Sequence, residues 1–269
     1  MKKLTLVGGG NMGEALVAGL IRSGHWKPSQ ITVCDIRHDQ MAQLQLRYKI
    51  GASADSRWAA REANIILLAV KPQHMAHVLK EIGPVVRTSQ LVLSIAAGVP
   101  TSFIEKFLGR GVPVIRIMPN TPALIGAGAA AMARGRWAKA AHEKTVESIF
   151  ATVGSVVTVT EKHMDAVTAL SGSGPAYLFY LAEAMQEAGS RMGLASHVAD
   201  GLVRQTLKGA SLLLAQSHEE PKTLRQRVTS PGGTTEAALK VLEQLRVKPA
   251  ITKAIGRAQR RARELAKTY

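Results

Sequence analysis

The sequence predicts a two-part α/β protein, with a doubly wound, largely parallel sheet in the N-terminal part and an all-α C-terminal part. Three observations point there. Short apolar runs recur through the first 160 residues with room for a helix between each pair, which is the rhythm of βαβ units. A Gly8-x-Gly10-x-x-Gly13 turn follows the first of these runs. From Glu161 onward the strand signals stop, and long segments of helical periodicity take over.

Leu4–Val7 is the first predicted strand, and the glycine turn after it opens a helix expected over Glu14–Ser23. Ile31–Cys34, Ile65–Val70, Leu91–Ile95 and Val112–Ile117 follow as short apolar strands of a buried parallel sheet. Ala127–Ala133 and Ser155–Val159 are weaker strands, expected at the sheet edge. Tyr177–Met192, His197–Gln216, Thr234–Leu245 and Pro249–Lys267 have helical period and length and are separated by Gly or Pro. The change of pattern sets the expected boundary: 1–160 for a dinucleotide-binding domain and 161–269 for a helical domain. The helices of the second part are rich in Ala and Leu, as at Leu202–Leu214, and carry more apolar surface than a helical half of this size can bury against itself. They are therefore expected to form a dimerisation domain.

With 46% hydrophobic and 20% charged residues in 269, the chain has the composition of an ordinary globular protein, not a disordered one. A lone cysteine, Cys34, excludes an internal disulfide framework and fits a reducing, cytoplasmic setting. The apolar run after Lys2-Lys3 stops at Gly8, too short for a signal peptide core. The longer uncharged stretches, near 88–104 and 117–133, are cut by Pro and Gly, so no membrane span is expected. The net charge is +16, and residues 246–269 alone hold eight basic residues and one acid, Glu264. Aromatics make up 4% of the chain and form no RNA-binding motif, so the charge suits anionic small ligands better than specific nucleic-acid binding. The basic terminal helix is expected to be dispensable for chemistry.

The glycines of the first motif serve three physical ends, namely a tight turn, close approach of backbone to a pyrophosphate, and close helix–strand packing. Between a strand and a helix, that pattern predicts a dinucleotide site. Asp35 ends the second strand, where a carboxylate accepts hydrogen bonds from the ribose hydroxyls of NADH. Arg37, two residues on, suits the extra phosphate of NADPH. The two signals conflict and leave the cofactor as NADPH or NADH. Lys71 follows a strand and so lies at the carboxyl edge of the sheet, a cofactor-edge position.

The second glycine-rich signature, Val-Thr-Ser-Pro-Gly-Gly-Thr-Thr at 228–235, lies within the helical half. A Ser-Pro-Gly-Gly turn running into Thr234, Thr235 and Glu236 offers free N–H groups and hydroxyls at a helix start, an anion pocket with hydrogen-bond donors beside it. Asn120, between Pro119 and Pro122, is expected as a rigidly held amide facing the ligand edge. His74 and His77 share a helical face, but no Cys or carboxylate cluster accompanies them, so no metal site is expected. There is no Gly-x-Ser-x-Gly elbow. No general acid–base pair is evident, which disfavours alcohol oxidation. Reduction of a C=N bond needs only a hydride donor and a hydrogen-bond donor to nitrogen.

These blocks in this order resemble the pyrroline-5-carboxylate reductase family: VGGGNMG (7–13), AVKPQ (69–73), SIAAGV (94–99), MPNTPA (118–123), DAVTALSGSGPAY (165–177) and VTSPGGTT (228–235). The resemblance covers essentially the whole chain. It implies an N-terminal Rossmann-type domain and a helical C-terminal dimerisation domain, with dimers assembling into larger rings up to a decamer of five dimers. It implies NAD(P)H-dependent reduction of 1-pyrroline-5-carboxylate to L-proline. By position, the pyrophosphate would lie on Val7, Gly8, Gly9, Gly10, Asn11 and Met12. Ala69, Val70, Lys71 and Pro72, with Ile95, Ala96 and Ala97, would line the cofactor. The substrate carboxylate would sit against Ser230, Gly232, Gly233 and Thr234, Thr235 would offer its hydroxyl to the ring nitrogen, and Glu161 would line the same pocket. Two departures stand out. Leu224-Arg225-Gln226-Arg227 has no acid where the family usually carries a Lys-Asp pair, and Asp35 replaces the usual small polar residue or Asn.

Overall fold

The computed structural model describes residues 2–269, which divide by packing into two compact units. The first unit comprises the chain up to Ser173 together with 258–269, and the second comprises 174–257.

In the first unit the strands are β1 (Leu4–Val7), β2 (Ile31–Cys34), β3 (Gly51–Ser53), β4 (Ile65–Leu68), β5 (Leu91–Ser94), β6 (Val114–Met118), β7 (Gly128–Arg134) and β8 (Gly154–Thr158). They form one sheet in the order β3-β2-β1-β4-β5-β6-β7-β8. The β6–β7 pair is antiparallel and the remaining pairs are parallel. The helices are α1 (Asn11–Arg22), α2 (His38–Tyr48), α3 (Ser56–Glu62), α4 (Met75–Ile82), α5 (Thr101–Leu108), α6 (Ala140–Phe150) and α7 (Met164–Val167). Alternation along β4 shows why a continuous apolar run is needed. Ile65 and Leu67 join one core cluster with Leu16 and Leu20 of α1, Leu44 of α2 and Phe150 of α6. Ile66 and Leu68 join another with Leu79 of α4 and Ile104 of α5. Both faces are covered, as a doubly wound sheet requires.

Three details differ from the sequence expectation. β3 is three half-buried residues, Gly-Ala-Ser, too short and too polar to stand out as an apolar run. α1 begins at Asn11, because Gly10 in extended conformation already acts as its N-cap. The packing boundary falls at Ser173/Gly174, not at the expected 160/161, because Met164 of α7 is buried with Ala131 and Ala133 of β7 against Met118 and Val159. The chain's last residues also belong here. Tyr269 packs edge-on to Phe103 at 4.9 Å between centroids, and Leu265 approaches Gly98. The end of the basic helix thus packs beside the 95–98 loop, a role that its charge pattern does not show.

The second unit is helical: α8 (Gly174–Arg191), α9 (Ser196–Gln216), α10 (Pro221–Arg227), α11 (Thr234–Gln244) and the first part of α12 (Val247–Ala266). α8 and α9 pack where Gly189 faces Ala199, a crossing at which an added Cβ would lie 3.0 Å from the alanine methyl. Between α7 and α8 lies a π-helical turn, Thr168–Gly172, which runs into the Ser-Gly-Ser-Gly stretch of 171–174.

Candidate active site

The strand order reverses between β1 and β4, and ligands of open α/β sheets bind beyond the carboxyl ends at such a switch point. The ladder continues into the loops there. The Gly8 N–H donates to the Cys34 carbonyl at 2.7 Å, Ala69 N–H to Val7 at 2.8 Å, and Ile95 N–H to Leu68 at 3.0 Å. The expected cofactor residues Val7–Met12, Ala69–Pro72 and Ile95–Ala97 therefore sit on adjacent strand ends.

The glycines divide the work as their chemistry dictates. Gly8 has φ +103, and a Cβ on it would lie 2.7 Å from the Ala69 backbone. A Cβ on Gly13 would lie 2.7 Å from the Gly8 carbonyl oxygen, so helix and strand can touch only without one. A Cβ built on Gly10 would meet nothing within 4 Å. Gly10 brings no side chain to cap α1, so the first N–H groups of the helix face an open space fit for a pyrophosphate.

Asp35 is already engaged. Its Oδ2 accepts the Gly9 N–H at 2.7 Å, and its Oδ1 accepts the Arg37 N–H at 2.9 Å. The Arg37 guanidinium closes on the same carboxylate at 3.2 Å. Burial pushes the carboxyl pKa up, but these hydrogen bonds outweigh it and hold Asp35 below the usual carboxylate range. The acid is almost enclosed, with 8% of its side chain exposed, whereas Arg37 is 58% exposed. Gln40 supplies a second clasp, its Nε2 donating to the Gly9 carbonyl at 2.7 Å. No sequence motif marks Gln40; only the fold brings it to the loop. Burial pushes the neighbouring Cys34 thiol up to about 11, with nearby carboxylates adding, so it packs as a neutral thiol. Among the described residues no group of three or more His, Cys, Asp or Glu is placed to hold a metal.

Two residues expected at the substrate are placed inside the frame. The Asn120 side chain donates to the Ser171 carbonyl at 3.1 Å and accepts the Ala129 N–H at 2.8 Å, joining the end of β6 to the π-helical turn and to β7. Glu161 accepts from Arg116 at 2.8 Å and from the Thr101 hydroxyl at 3.3 Å. Arg116 is 3% exposed, and its Nε and Nη2 have no hydrogen-bond partner among the described residues. The signal for this pair is a lone arginine inside the apolar strand Val114–Met118.

In the helical unit, Gly232 turns the chain at φ +73, and Gly233 caps α11 without a side chain. The Gly233 N–H closes the turn on the Ser230 carbonyl at 3.0 Å. Glu236 folds back so that its carboxylate accepts the Gly232 N–H at 2.8 Å. The N–H groups of Thr234 and Thr235 open the helix with no side-chain cap, and the half-buried Thr235 hydroxyl makes no hydrogen bond among the described residues. This turn can hold an anion and present a hydroxyl beside it.

Fold and site together define a class, the dinucleotide-dependent oxidoreductases. Comparison with known proteins narrows it. A family model described as pyrroline-5-carboxylate reductase dimerisation matches residues 161–265, and one described as NADP oxidoreductase, coenzyme F420-dependent, matches 3–98. The pyrroline-5-carboxylate reductase of Corynebacterium melassecola is 38% identical over 270 residues, covering 99% of this chain and 100% of its own. The solved pyrroline-5-carboxylate reductase of Coxiella burnetii is 38% identical with a TM-score of 0.93, covering 98% of both chains. The Plasmodium falciparum pyrroline carboxylate reductase, solved with NADP bound, is 29% identical with a TM-score of 0.87, again over 98% of both chains. The chain belongs to the pyrroline-5-carboxylate reductase family. It is a homo-oligomer-forming enzyme with a small-molecule substrate, and no helix among the described residues is long and apolar enough to cross a membrane.

Proposed function

We propose that this chain reduces 1-pyrroline-5-carboxylate to L-proline with NADPH or NADH. The observation that carries this reading is the uncapped Ser230–Thr235 turn, which places free N–H groups next to an unengaged hydroxyl. The N–H groups of Thr234 and Thr235 hold the substrate carboxylate, with Ser230, Gly232 and Gly233 shaping the turn around it. Thr235 donates its hydroxyl hydrogen bond to the ring nitrogen. As the C=N carbon takes the hydride, the π pair moves onto that nitrogen, which takes the Thr235 hydroxyl proton as solvent returns one to Thr235; the ring stays closed and the product is a cyclic secondary amine. When bound, the nicotinamide supplies the hydride. The protein's part is to hold the pyrophosphate on Val7–Met12, take the adenosine ribose at Asp35 and Arg37, and line the rest with Ala69–Pro72 and Ile95–Ala97. Asn120 and Glu161 act from within the frame, as their hydrogen bonds indicate. The dimers join further, into a ring of five, and the enzyme works in the cytoplasm, in keeping with its single buried cysteine.

The test is direct. Purified protein incubated with 1-pyrroline-5-carboxylate should oxidise NADPH or NADH and release proline, identified by mass spectrometry. Oxidation without proline, or a preference for an open-chain oxo acid over the cyclic imine, would overturn the reading.

A further inference from the structure

A pocket of about 630 Å³ lies between the carboxyl end of α5 and the loop that follows β7, lined by Glu105, Lys106, Arg110, Arg136 and Trp137 among others. Its position separates it from the cofactor loops. β6 and β7 are antiparallel with Ile115 opposite Arg134, so the loop after β7 leaves the sheet at the amino edge of its parallel strands, away from Gly8, Ala69 and Ile95. Two guanidinium groups share one indole there: Arg136 stands 5.1 Å and Arg110 5.8 Å from the Trp137 ring centroid. Stacking holds each guanidinium plane while leaving its N–H edge free for an oxyanion.

The one carboxylate in the pocket is turned to the backbone. Glu105 accepts the Arg136 backbone N–H at 2.7 Å and so fixes the turn that presents Arg136 and Trp137. Gly135 is required for this, since a Cβ there would collide with the Glu105 carboxylate. Among the described residues, none of Lys106, Arg110 and Arg136 has a carboxylate within salt-bridge distance of its side chain. Three cations thus face one acid that is already occupied, in a space large enough for a small phosphorylated molecule.

We propose that this pocket binds a phosphoryl group, with Arg110 and Arg136 as its bidentate partners and Lys106 as a supporting charge. The ligand chemistry is that of a phosphate-bearing metabolite, whether a free pyrophosphate or the phosphate chain of a nucleotide. The site is separate from the cofactor loops, so its occupancy is distinct from that of cofactor and substrate.

The experiment titrates NADPH-saturated enzyme with inorganic pyrophosphate and, separately, with adenosine triphosphate, following tryptophan fluorescence and heat of binding. Saturation with NADPH keeps both probes off the glycine loop. Saturable binding is expected, at least tenfold weaker in Arg110→Ala/Arg136→Ala and weakened in Trp137→Leu. Lys253→Ala/Arg260→Ala, which removes equal charge from the terminal helix, should bind as the unaltered enzyme does. Tighter binding of the nucleotide would show that the pocket also takes its base; equal binding would show that the phosphoryl group alone is read. No saturable binding, or an equal loss in both double variants, would mean only general attraction to a basic protein and would overturn the proposal.

Discussion

In the sheet unit all four residues of β4 are buried, while in the helical unit α8 runs eighteen residues and buries only Gly189. Phe179 is 63% exposed and Tyr180 75%, and Leu202, Leu212 and Leu213 of α9 are open as well. A large apolar side chain left in water forgoes about 2 kcal/mol of burial, so such a surface is not one that a lone chain keeps. The sheet unit completes its own core. The helical unit carries half of one, and the match of 161–265 to a dimerisation family says what supplies the other half. The family models divide the chain in the same way, with an NADP oxidoreductase model matching 3–98 and a dimerisation model matching 161–265.

Breaking the helical surface should have the largest effect. Phe179→Asp with Leu213→Asp should weaken the dimer by on the order of 10²-fold or more and remove turnover. Cofactor affinity should survive, because the glycine loop lies wholly in the sheet unit. Sedimentation and cofactor titration on the same sample check both halves, and a fully active monomer would contradict the division.

Within the sheet unit, Gly8 and Gly10 sharpen the contrast between folding and binding. Gly8→Ala needs φ +103 and a Cβ 2.7 Å from backbone, so it should cost about 2 kcal/mol or more of stability. Gly10→Ala places its Cβ in open space and should leave the denaturation midpoint nearly unchanged while weakening the cofactor about tenfold or more. Chemical denaturation and cofactor titration separate the two; equal behaviour of the variants would refute the distinct roles.

A smaller effect is expected at Asp35 and Arg37. Asp35→Ser should shift kcat/KM toward NADPH and Arg37→Ala toward NADH, each by about tenfold. Asp35 also has a pH signature. Its folded pKa lies below the ordinary 3.8, so the stability it lends is complete above pH 3.8 and is lost as pH falls through the folded value. The stability gap between the unaltered enzyme and Asp35→Asn should therefore be flat at neutral pH and shrink only below pH 3.8. A gap that changes between pH 5 and 8, on the order of the histidine range, would point to another group.

Much of this is legible in the sequence because the physics is local. The strands buried on both faces are marked by short apolar runs, unbroken in β4 and interrupted by one polar residue in β1 (Thr5) and β6 (Arg116), and both glycine turns are marked by residues whose conformations few others adopt. What escapes is non-local. β3 carries no apolar signal. Gln40 and Asp35 meet Gly9 across 31 and 26 residues of sequence. Asn120, read as ligand-facing from the prolines around it, and Glu161, placed at the substrate by the resemblance, also find partners on distant strands and turns that no local pattern marks. The terminal helix is marked by charge, but its last turn is placed by Leu265 and Tyr269.

The division of labour stands or falls on Thr235. Turnover of Thr235→Ala with 1-pyrroline-5-carboxylate should fall about 10²-fold, the range for lost acid assistance, while the dissociation constant for NADPH stays that of the unaltered enzyme. Unchanged turnover in a correctly folded, dimeric Thr235→Ala would contradict the account, because the hydroxyl that opens α11 would then take no part in reducing the imine.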